Sequence, residues 1–289
     1  MPSELPAWFS AAVAQPRSAH AVWVGRLRLH VAAWNDGDVD KPPLLLVHGF
    51  RAHMHWWDHI APALVSQRRV YALDLSGMGL SGWRQTYTRQ SFTDDILSVA
   101  RWLKGRAPGR PLTVIGHSYG GSRLLDACAQ APGLIDHAVV LDAPLPPEGN
   151  REKSQPVNQR FQADADREGI LSRFRLVPEQ PSLPCIRSYI AERSIVAAEK
   201  GGWRWCFDPA VMSVIGGGFD QDDALRSVAA PVDIVRGEFS SIVSAAMAER
   251  MAALVPRARG PVVLPGAHHH LMLDQPLPLM SLLNALLQE

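Results

Sequence analysis

The sequence predicts an α/β fold, in which a mostly parallel sheet is covered by helices on both faces and carries a helical insertion. Short apolar runs alternate with longer segments of helical length, and continuous apolar runs are typical of strands buried on both faces. A partly alternating pattern near the start predicts an antiparallel hairpin. Residues 144–225 break this rhythm, and the stretch is too long for a plain loop.

The predicted sheet has eight strands. Two of them form the hairpin, over residues 22–34 around Gly25. The other six are the apolar runs 44–47, 70–73, 112–115, 138–141, 232–235 and 262–264. Segments 92–104 and 122–130 have the length and periodicity of crossover helices, the connection that parallel strands require.

The insertion divides the chain into a core domain, residues 1–143 and 226–289, and a cap, residues 144–225. We expect the cap to be mostly helical and to cover the functional site; the alternative is a helical extension that packs elsewhere. Three aromatic side chains in it could line an apolar pocket, or could simply pack the cap on the core. They are Trp203, Trp205 and Phe207.

Composition and charge are those of an ordinary globular protein, with 47% hydrophobic and 20% charged residues among 289. The net charge of +1 favours neither nucleic acid nor an anionic membrane as a partner. Three widely spaced cysteines predict neither a disulfide framework nor a zinc site. The first residues do not resemble a signal peptide, and no apolar run approaches the ~20 residues of a membrane helix. We therefore expect a cytoplasmic protein with a small-molecule partner, and a homodimer stays open.

The strongest motif is Gly116-His-Ser-Tyr-Gly-Gly121, placed between a predicted strand and a predicted helix. This G-x-S-x-G pattern predicts a sharp turn that lifts the Ser118 hydroxyl above the edge of the sheet. The flanking glycines are needed because side chains there would collide with the strand and the helix. The helix N-terminus behind the serine offers backbone N–H groups to developing negative charge. The motif therefore predicts a nucleophilic serine.

Four motifs in this order resemble the α/β-hydrolase superfamily over nearly the whole chain. In chain order they are the strand and His-Gly pair of 44–50, the Asp-x-x-Gly-x-Gly-x-Ser loop of 74–81, the serine motif of 116–121, and the His-x-x-x-x-Asp-x-Pro segment of 269–276. The resemblance implies an eight-stranded hydrolase core that works with a serine, a histidine and an acid. Asp74 and Ser81 are expected to fix their loop by hydrogen bonds. We expect no cofactor and no metal.

The resemblance assigns the general base to His269, seven positions before Pro276 as in the family. Its two histidine neighbours compete for the role. A metal cluster at this triplet is disfavoured, because consecutive histidines rarely point at one centre and no carboxylate pattern accompanies them. The backbone N–H groups of Phe50 and Tyr119 are expected to form the oxyanion hole, which stabilises charge that appears only in the tetrahedral intermediate.

The acid that should accompany the serine and the histidine departs from the family pattern. In the family an aspartate usually follows the strand read here at 232–235, but the two matching positions are Ser240 and Ser241. Two carboxylates could replace it, Asp142 at the end of the neighbouring strand and Glu238 just before the two serines. We predict Asp142, because the ends of both strands face the histidine loop in this fold. Glu238 is the alternative, and an arrangement without a local acid stays open.

The predicted function is hydrolysis of a carboxylic ester, lactone or thioester through an acyl-enzyme at Ser118. Carbon–carbon bond hydrolases and cofactor-free perhydrolases also use serine on this scaffold and stay open. Epoxide hydrolases and haloalkane dehalogenases resemble the layout but use an aspartate nucleophile, which Ser118 argues against. The alternative from another class is a catalytically weak binding protein, and the missing aspartate is the feature that favours it.

Overall fold

One sheet organises the molecule. The structure is a computed structural model that describes residues 5–145, 166–214 and 222–288. Its strands are β1 (Ser18–Val24), β2 (Leu27–Trp34), β3 (Pro43–Val47), β4 (Arg69–Leu73), β5 (Thr113–His117), β6 (His137–Leu141), β7 (Ile195–Ala197), β8 (Trp203–Trp205), β9 (Val232–Gly237) and β10 (Ala258–Leu264). Eight of them form the main sheet in the order β1-β2-β4-β3-β5-β6-β9-β10, antiparallel at its first two pairings and parallel at the rest. This confirms the predicted sheet.

The central strands are buried on both faces. In β3, Leu45 and Val47 belong to the apolar cluster on one side of the sheet, and Leu44 and Leu46 belong to the cluster on the other side. All four side chains are fully buried. Successive side chains of a strand point to opposite faces, so a strand that is apolar throughout needs a helical layer on each side.

Three of the described helices begin at a side-chain cap, which Thr88, Asp166 and Ser244 provide. The described helices are α1 (Ala7–Val13), α2 (Arg89–Arg106), α3 (Tyr119–Gln130), α4 (Arg167–Leu171), α5 (Pro184–Arg193), α6 (Asp222–Arg226), α7 (Ala245–Leu254), α8 (Leu271–Asp274) and α9 (Pro276–Leu286). α2 starts earlier than predicted because Thr88 and Ser91 form a reciprocal capping box. α3 also starts earlier, directly after Ser118, so no residue separates the serine from the helix N-terminus.

Between β6 and β9 the chain leaves the main sheet. Its described part forms α4, α5, α6, a 3₁₀ helix at Pro209–Val214, and β7 and β8, which pair with each other as a small antiparallel hairpin. The hairpin differs from the mostly helical prediction, and its signal is the Gly201-Gly202 turn flanked by strand-forming residues. Leu225, at the predicted end of the cap, is buried in the core cluster with Val232. The glycine-rich segment 216–218 lies outside the described residues.

The described elements include no helix with the length and apolarity needed to cross a bilayer. Cys128 and Cys206 are buried free thiols, and Cys185 is a half-buried one. Burial raises the pKa of both buried thiols to about 12, so they stay protonated and unreactive at neutral pH.

A buried carboxylate fixes the loop after β4. Asp74 accepts hydrogen bonds from the backbone N–H groups of Met54 (2.7 Å) and Leu80 (3.0 Å) and from Nδ1–H of His30 (2.8 Å). The Ser81 hydroxyl donates to the Asp74 carbonyl oxygen at 2.5 Å. Burial alone would raise the pKa of Asp74, but the hydrogen bond from His30 and the neighbouring histidines outweigh it and lower the pKa to about 2. The predicted loop-fixing role of Asp74 and Ser81 agrees with these contacts.

Asp74→Asn is expected to lower the free energy of unfolding at pH 7 by about 2–4 kcal/mol, because an amide offers one acceptor oxygen where the carboxylate offers two. The folded pKa lies below the ordinary value of 3.8, so the carboxylate stabilises the fold above pH 3.8 and this contribution is lost as the pH falls towards 2. Denaturant unfolding at several pH values should therefore show that the difference in the free energy of unfolding between wild type and variant becomes smaller as the pH falls. The control is Asp40→Asn, whose carboxylate is 90% exposed. Equal destabilisation by both substitutions would contradict the prediction.

Candidate active site

The predicted nucleophile lies on a strained turn at the carboxyl end of β5. Ser118 has a φ of 52° and a ψ of −122°, a conformation that non-glycine residues adopt mainly at functional sites. A Cβ at Gly120 would lie 2.4 Å from the His48 carbonyl oxygen, and one at Gly116 would lie 2.8 Å from the Gly120 carbonyl oxygen. Both glycines are therefore required for the close approach of α3 to β3 and β5.

His269 lies between the serine and a carboxylate. Its Nε2 is 2.9 Å from Ser118 Oγ, and its Nδ1 is 2.7 Å from Asp142 Oδ2. A carboxylate can only accept, so Nδ1 carries the hydrogen and Nε2 turns its lone pair towards the serine hydroxyl. His269 is 4% exposed and Asp142 is fully buried. This is the geometry that a general base next to a nucleophile requires.

The histidine loop is held on both sides of His269. On one side, the backbone N–H and ring Nδ1 of His268 lie 2.7 and 2.9 Å from the Asp274 carboxylate, so this ring is turned away from the serine. On the other side, the backbone N–H of His270 donates to Oε1 of Gln180, in the segment between β6 and β9, at 2.7 Å. Of the three consecutive histidines, only the central one contacts Ser118 Oγ.

Asp142, and not Glu238, contacts the histidine. The buried Asp142 carboxylate accepts hydrogen bonds from His269 Nδ1–H (2.7 Å), from the Gly237 backbone N–H (2.9 Å) and from the Ser240 hydroxyl (2.5 Å). Glu238 is exposed and accepts instead from a backbone N–H of the following loop. Ser240 is one of the two positions where the family resemblance led us to expect an aspartate, and its hydroxyl supports the carboxylate of the neighbouring strand. Sequence reasoning saw this serine only as a missing acid.

The residues predicted to form the oxyanion hole lie beside the serine. Tyr119 is the first residue of α3, so its backbone N–H has no acceptor within the helix. Its ring contacts the Phe50 ring edge-on, with centroids 5.3 Å apart. A Cβ at Gly49 would lie 3.3 Å from Ser118 Cβ, and His48 Nε2 accepts a backbone N–H of the loop after β4 at 3.1 Å. The loop after β3 therefore packs against the serine turn through Gly49 and against the loop after β4 through His48.

A cavity of about 380 Å³ opens onto Ser118. Residues 173–177 form part of its wall, together with Trp205 and Phe207. Trp203, which was predicted to join these two aromatic residues, does not line the cavity; its ring lies 5.3 Å from the guanidinium carbon of Arg167. β8 therefore approaches the cavity only with its C-terminal end.

Three imidazole rings gather beside the serine. His117, His269 and His270 each offer a ring nitrogen, and these nitrogens lie within 4.8 Å of one another. Nε2–H of His117 donates to the His269 carbonyl oxygen at 2.9 Å, which leaves its Nδ1 lone pair without a partner among the described residues; both ring nitrogens of His270 are also without one. Burial and the neighbouring His269 lower the pKa of His270 to about 3 and hold that of His117 well below its usual range. Both rings are therefore neutral at pH 7.

These rings form a group that could hold a metal ion. Three neutral imidazole nitrogens are ligands of the kind that Zn²⁺ and related ions prefer. The argument against a cluster at the consecutive histidines holds for His268, whose ring bonds Asp274. It misses His117, which is distant in sequence and completes the group with His269 and His270.

The chain belongs to the alpha/beta hydrolase family, whose family model matches residues 44–281. The match runs from β3 into α9 and so includes every motif on which the resemblance was based.

Two relatives that cover most of this chain are named as hydrolases. The 2-(acetamidomethylene)succinate hydrolase of Mesorhizobium japonicum is 30% identical over 252 residues, which cover 86% of this chain and 87% of that protein. An esterase of Mycobacterium tuberculosis is 25% identical over 268 residues, covering 85% and 83%. The crystal structure of an E-2-(acetamidomethylene)succinate hydrolase covers 95% of this chain and 100% of that one, with a TM-score of 0.79 and 27% identity. The family and these relatives identify the chain as a hydrolase.

Zn²⁺ is expected to bind at the group of His117, His269 and His270. Calorimetric titration of the wild type should show one site, and His270→Gln should weaken binding at least about tenfold because it removes one of three nitrogen ligands. His268→Gln is the matched control, since its ring bonds Asp274 at 2.9 Å. Equal Zn²⁺ affinity in the wild type and His270→Gln would refute the site.

Proposed function

We propose that this protein is a serine hydrolase that cleaves a carboxylic ester, or a related acyl bond such as a lactone or thioester, through an acyl-enzyme on Ser118. The observation that carries the proposal is the chain of contacts from Ser118 Oγ to His269 Nε2 (2.9 Å) and from His269 Nδ1 to Asp142 (2.7 Å). A serine hydroxyl is a weak nucleophile, so it needs a base within hydrogen-bond reach and a partner that orients the base.

In the proposed reaction His269 takes the hydroxyl proton while Ser118 Oγ attacks the acyl carbon, and the Asp142 carboxylate stabilises the imidazolium that forms. The backbone N–H groups of Phe50 and Tyr119 receive the negative charge of the tetrahedral intermediate. His269 then protonates the leaving group, and water repeats the sequence to release the acid. The two neighbouring imidazoles stay neutral because burial lowers their pKa, so no second cation opposes the imidazolium.

The segment 144–225 is proposed to act as the cap that sets substrate choice. Support comes from its described residues, because 173–177, Trp205 and Phe207 share the cavity with the serine. The acyl group that fits between them and the histidine loop would be selected by this wall.

The contacts of Asp142 also bear on the alternatives. The binding-protein alternative depended on a missing acid, and a buried carboxylate 2.7 Å from His269 removes that motive. Carbon–carbon bond hydrolysis and perhydrolysis would use the same serine and histidine. The Mesorhizobium relative is named for a substituted succinate, which favours an acidic acyl compound over a simple alkyl ester. Turnover of a panel of esters, lactones, thioesters, amides and dienone acids separates these reactions.

Ser118→Ala is expected to fold normally and to lose all turnover of 4-nitrophenyl butyrate, because among the described residues Ser118 carries the hydroxyl that is hydrogen-bonded to His269 Nε2. A fluorophosphonate should label the wild type at Ser118, located by peptide mass spectrometry. Ser122→Ala is the control, since that hydroxyl donates to the Pro144 carbonyl oxygen at 2.7 Å and not to the histidine. Labelling of another serine would overturn the proposal.

Asp142→Asn is expected to lower kcat about 10⁴-fold, as when a triad aspartate is lost, because the histidine is no longer held in the required tautomer. Glu238→Gln should change kcat little, since that carboxylate accepts only from the Gly266 backbone N–H at 2.8 Å. Steady-state kinetics with one ester and circular dichroism of each variant test the assignment. Equal effects of the two substitutions would contradict it.

A second carboxylate position tests the same assignment by rescue. Ser240 Oγ lies 2.5 Å from the Asp142 carboxylate, so an acid at position 240 would stand beside the side chain at position 142. Ser240→Asp in the Asp142→Asn background is therefore expected to recover at least about tenfold in kcat, because the triad depends on geometry and not on chain position. Ser241→Asp is the control, because that residue is exposed and has no contact with Asp142 among the described hydrogen bonds. Recovery with Ser241→Asp alone would refute the argument.

A further inference from the structure

The cavity wall carries positive charge next to the serine. Among its described lining residues are Arg51, Arg173 and Arg175, and none of the described lining residues is an aspartate or a glutamate. Arg51 directly follows Phe50, whose backbone N–H is the proposed oxyanion donor. A guanidinium therefore extends from the same short loop that would hold the acyl carbonyl oxygen.

Arg51 has no acid partner in the described part of the chain. Two half-buried arginines elsewhere in the fold, Arg84 and Arg259, form close ion pairs with aspartates at 2.5 and 2.6 Å, whereas Arg51 has an exposed side chain. The guanidinium carbon of Arg51 lies instead 4.6 Å from the centre of the Phe207 ring. A guanidinium stacked on an aromatic face keeps its in-plane N–H donors available for a second partner.

The backbone and the charge state of Arg51 indicate a ligand-binding role. Arg51 has a φ of 59°, in the left-handed region where a branched or long side chain is unusual outside functional loops. Burial lowers the pKa of Arg51, although an arginine stays protonated at neutral pH. A cation that lines a cavity without an acid partner offers its N–H donors to an anionic ligand.

We propose that Arg51 binds a carboxylate of the substrate, so that the enzyme acts on a small acyl compound that carries a carboxylate a few atoms from the scissile carbonyl. The proposal rests on the proposed function of Ser118. Two parallel N–H groups of a guanidinium match the two oxygens of a carboxylate. Arg175 offers a second guanidinium at the mouth, held by hydrogen bonds from its Nη1 to the Ser172 and Phe174 carbonyl oxygens. The cavity, about 380 Å³, suits a small molecule of this kind.

The first test compares two esters that differ only in the group at the end of the acyl chain. Monoethyl succinate carries a carboxylate where ethyl butyrate carries a methyl group, and the acid released from each is measured by pH-stat titration. In the wild type, kcat/KM for the succinate ester is expected to exceed that for the butyrate ester at least about tenfold. Arg51→Met should lower this ratio at least about tenfold, because the carboxylate loses charge-assisted hydrogen bonds.

Two further variants sharpen the comparison. Arg51→Lys keeps the charge without the planar pair of donors, so it should retain only part of the preference. Arg110→Met is the matched control, because that guanidinium pairs on the surface with Asp40 at 3.3 Å and does not line the cavity. A ratio that falls equally in Arg51→Met and Arg110→Met would overturn the proposal.

The second test does not depend on turnover. Succinate is titrated calorimetrically into Ser118→Ala and into Ser118→Ala with Arg51→Met, and the second protein should bind it at least about tenfold more weakly. If neither ester is hydrolysed but succinate binding depends on Arg51, the proposed function fails and the carboxylate site stands. If ethyl butyrate is the better substrate and succinate binding does not depend on Arg51, the carboxylate site is refuted and the hydrolase stands.

Discussion

A carboxylate without exposed surface has to be compensated by hydrogen bonds, and the geometry around Asp142 follows from this demand. Its three donors come from the end of β9, from the loop after β9 and from the histidine loop. An uncompensated buried charge costs several kcal/mol, so each donor is held where the carboxylate needs it. The orientation of His269, and with it the direction of its lone pair, is thereby determined by a residue 127 positions away in the chain.

The strand order explains why these groups meet. β3, β5, β6 and β9 lie next to one another and run parallel, so their carboxyl ends share one edge of the sheet. The residues that follow them are the His48-Gly49 pair, Ser118, Asp142 and Ser240. In open α/β sheets this edge is where ligands bind, because the loops there are free to vary while the strands below are fixed by packing. The order and direction of the parallel strands therefore determine where the site lies, and the side chains at the strand ends determine its chemistry.

The sequence alone predicted most of the fold, because each parallel strand contains a continuous apolar run and the serine turn has strict steric demands. Asp142 was predicted from the place of its strand end in the fold that the chain resembles, with Glu238 as the alternative. No function could be assigned to Ser240, since a hydroxyl that supports a carboxylate leaves no spacing pattern. His117 and Arg51 were also missed. His117 lies inside the serine motif, which drew attention to Ser118 alone. The guanidinium of Arg51 lies against the ring of Phe207, which is far away in the sequence. The position of Trp203 depends on how a short hairpin packs, which periodicity does not encode.

The bond between Gln180 and the backbone of His270 has a mechanical consequence. A second link joins the same two regions, from the Leu183 backbone N–H to the Leu273 carbonyl oxygen at 3.0 Å. Residues 180–183 are thus fastened to the loop that carries His269 and cannot swing outward without displacing the imidazole. The position of the proton acceptor is therefore coupled to this segment as well as to the carboxylate of Asp142.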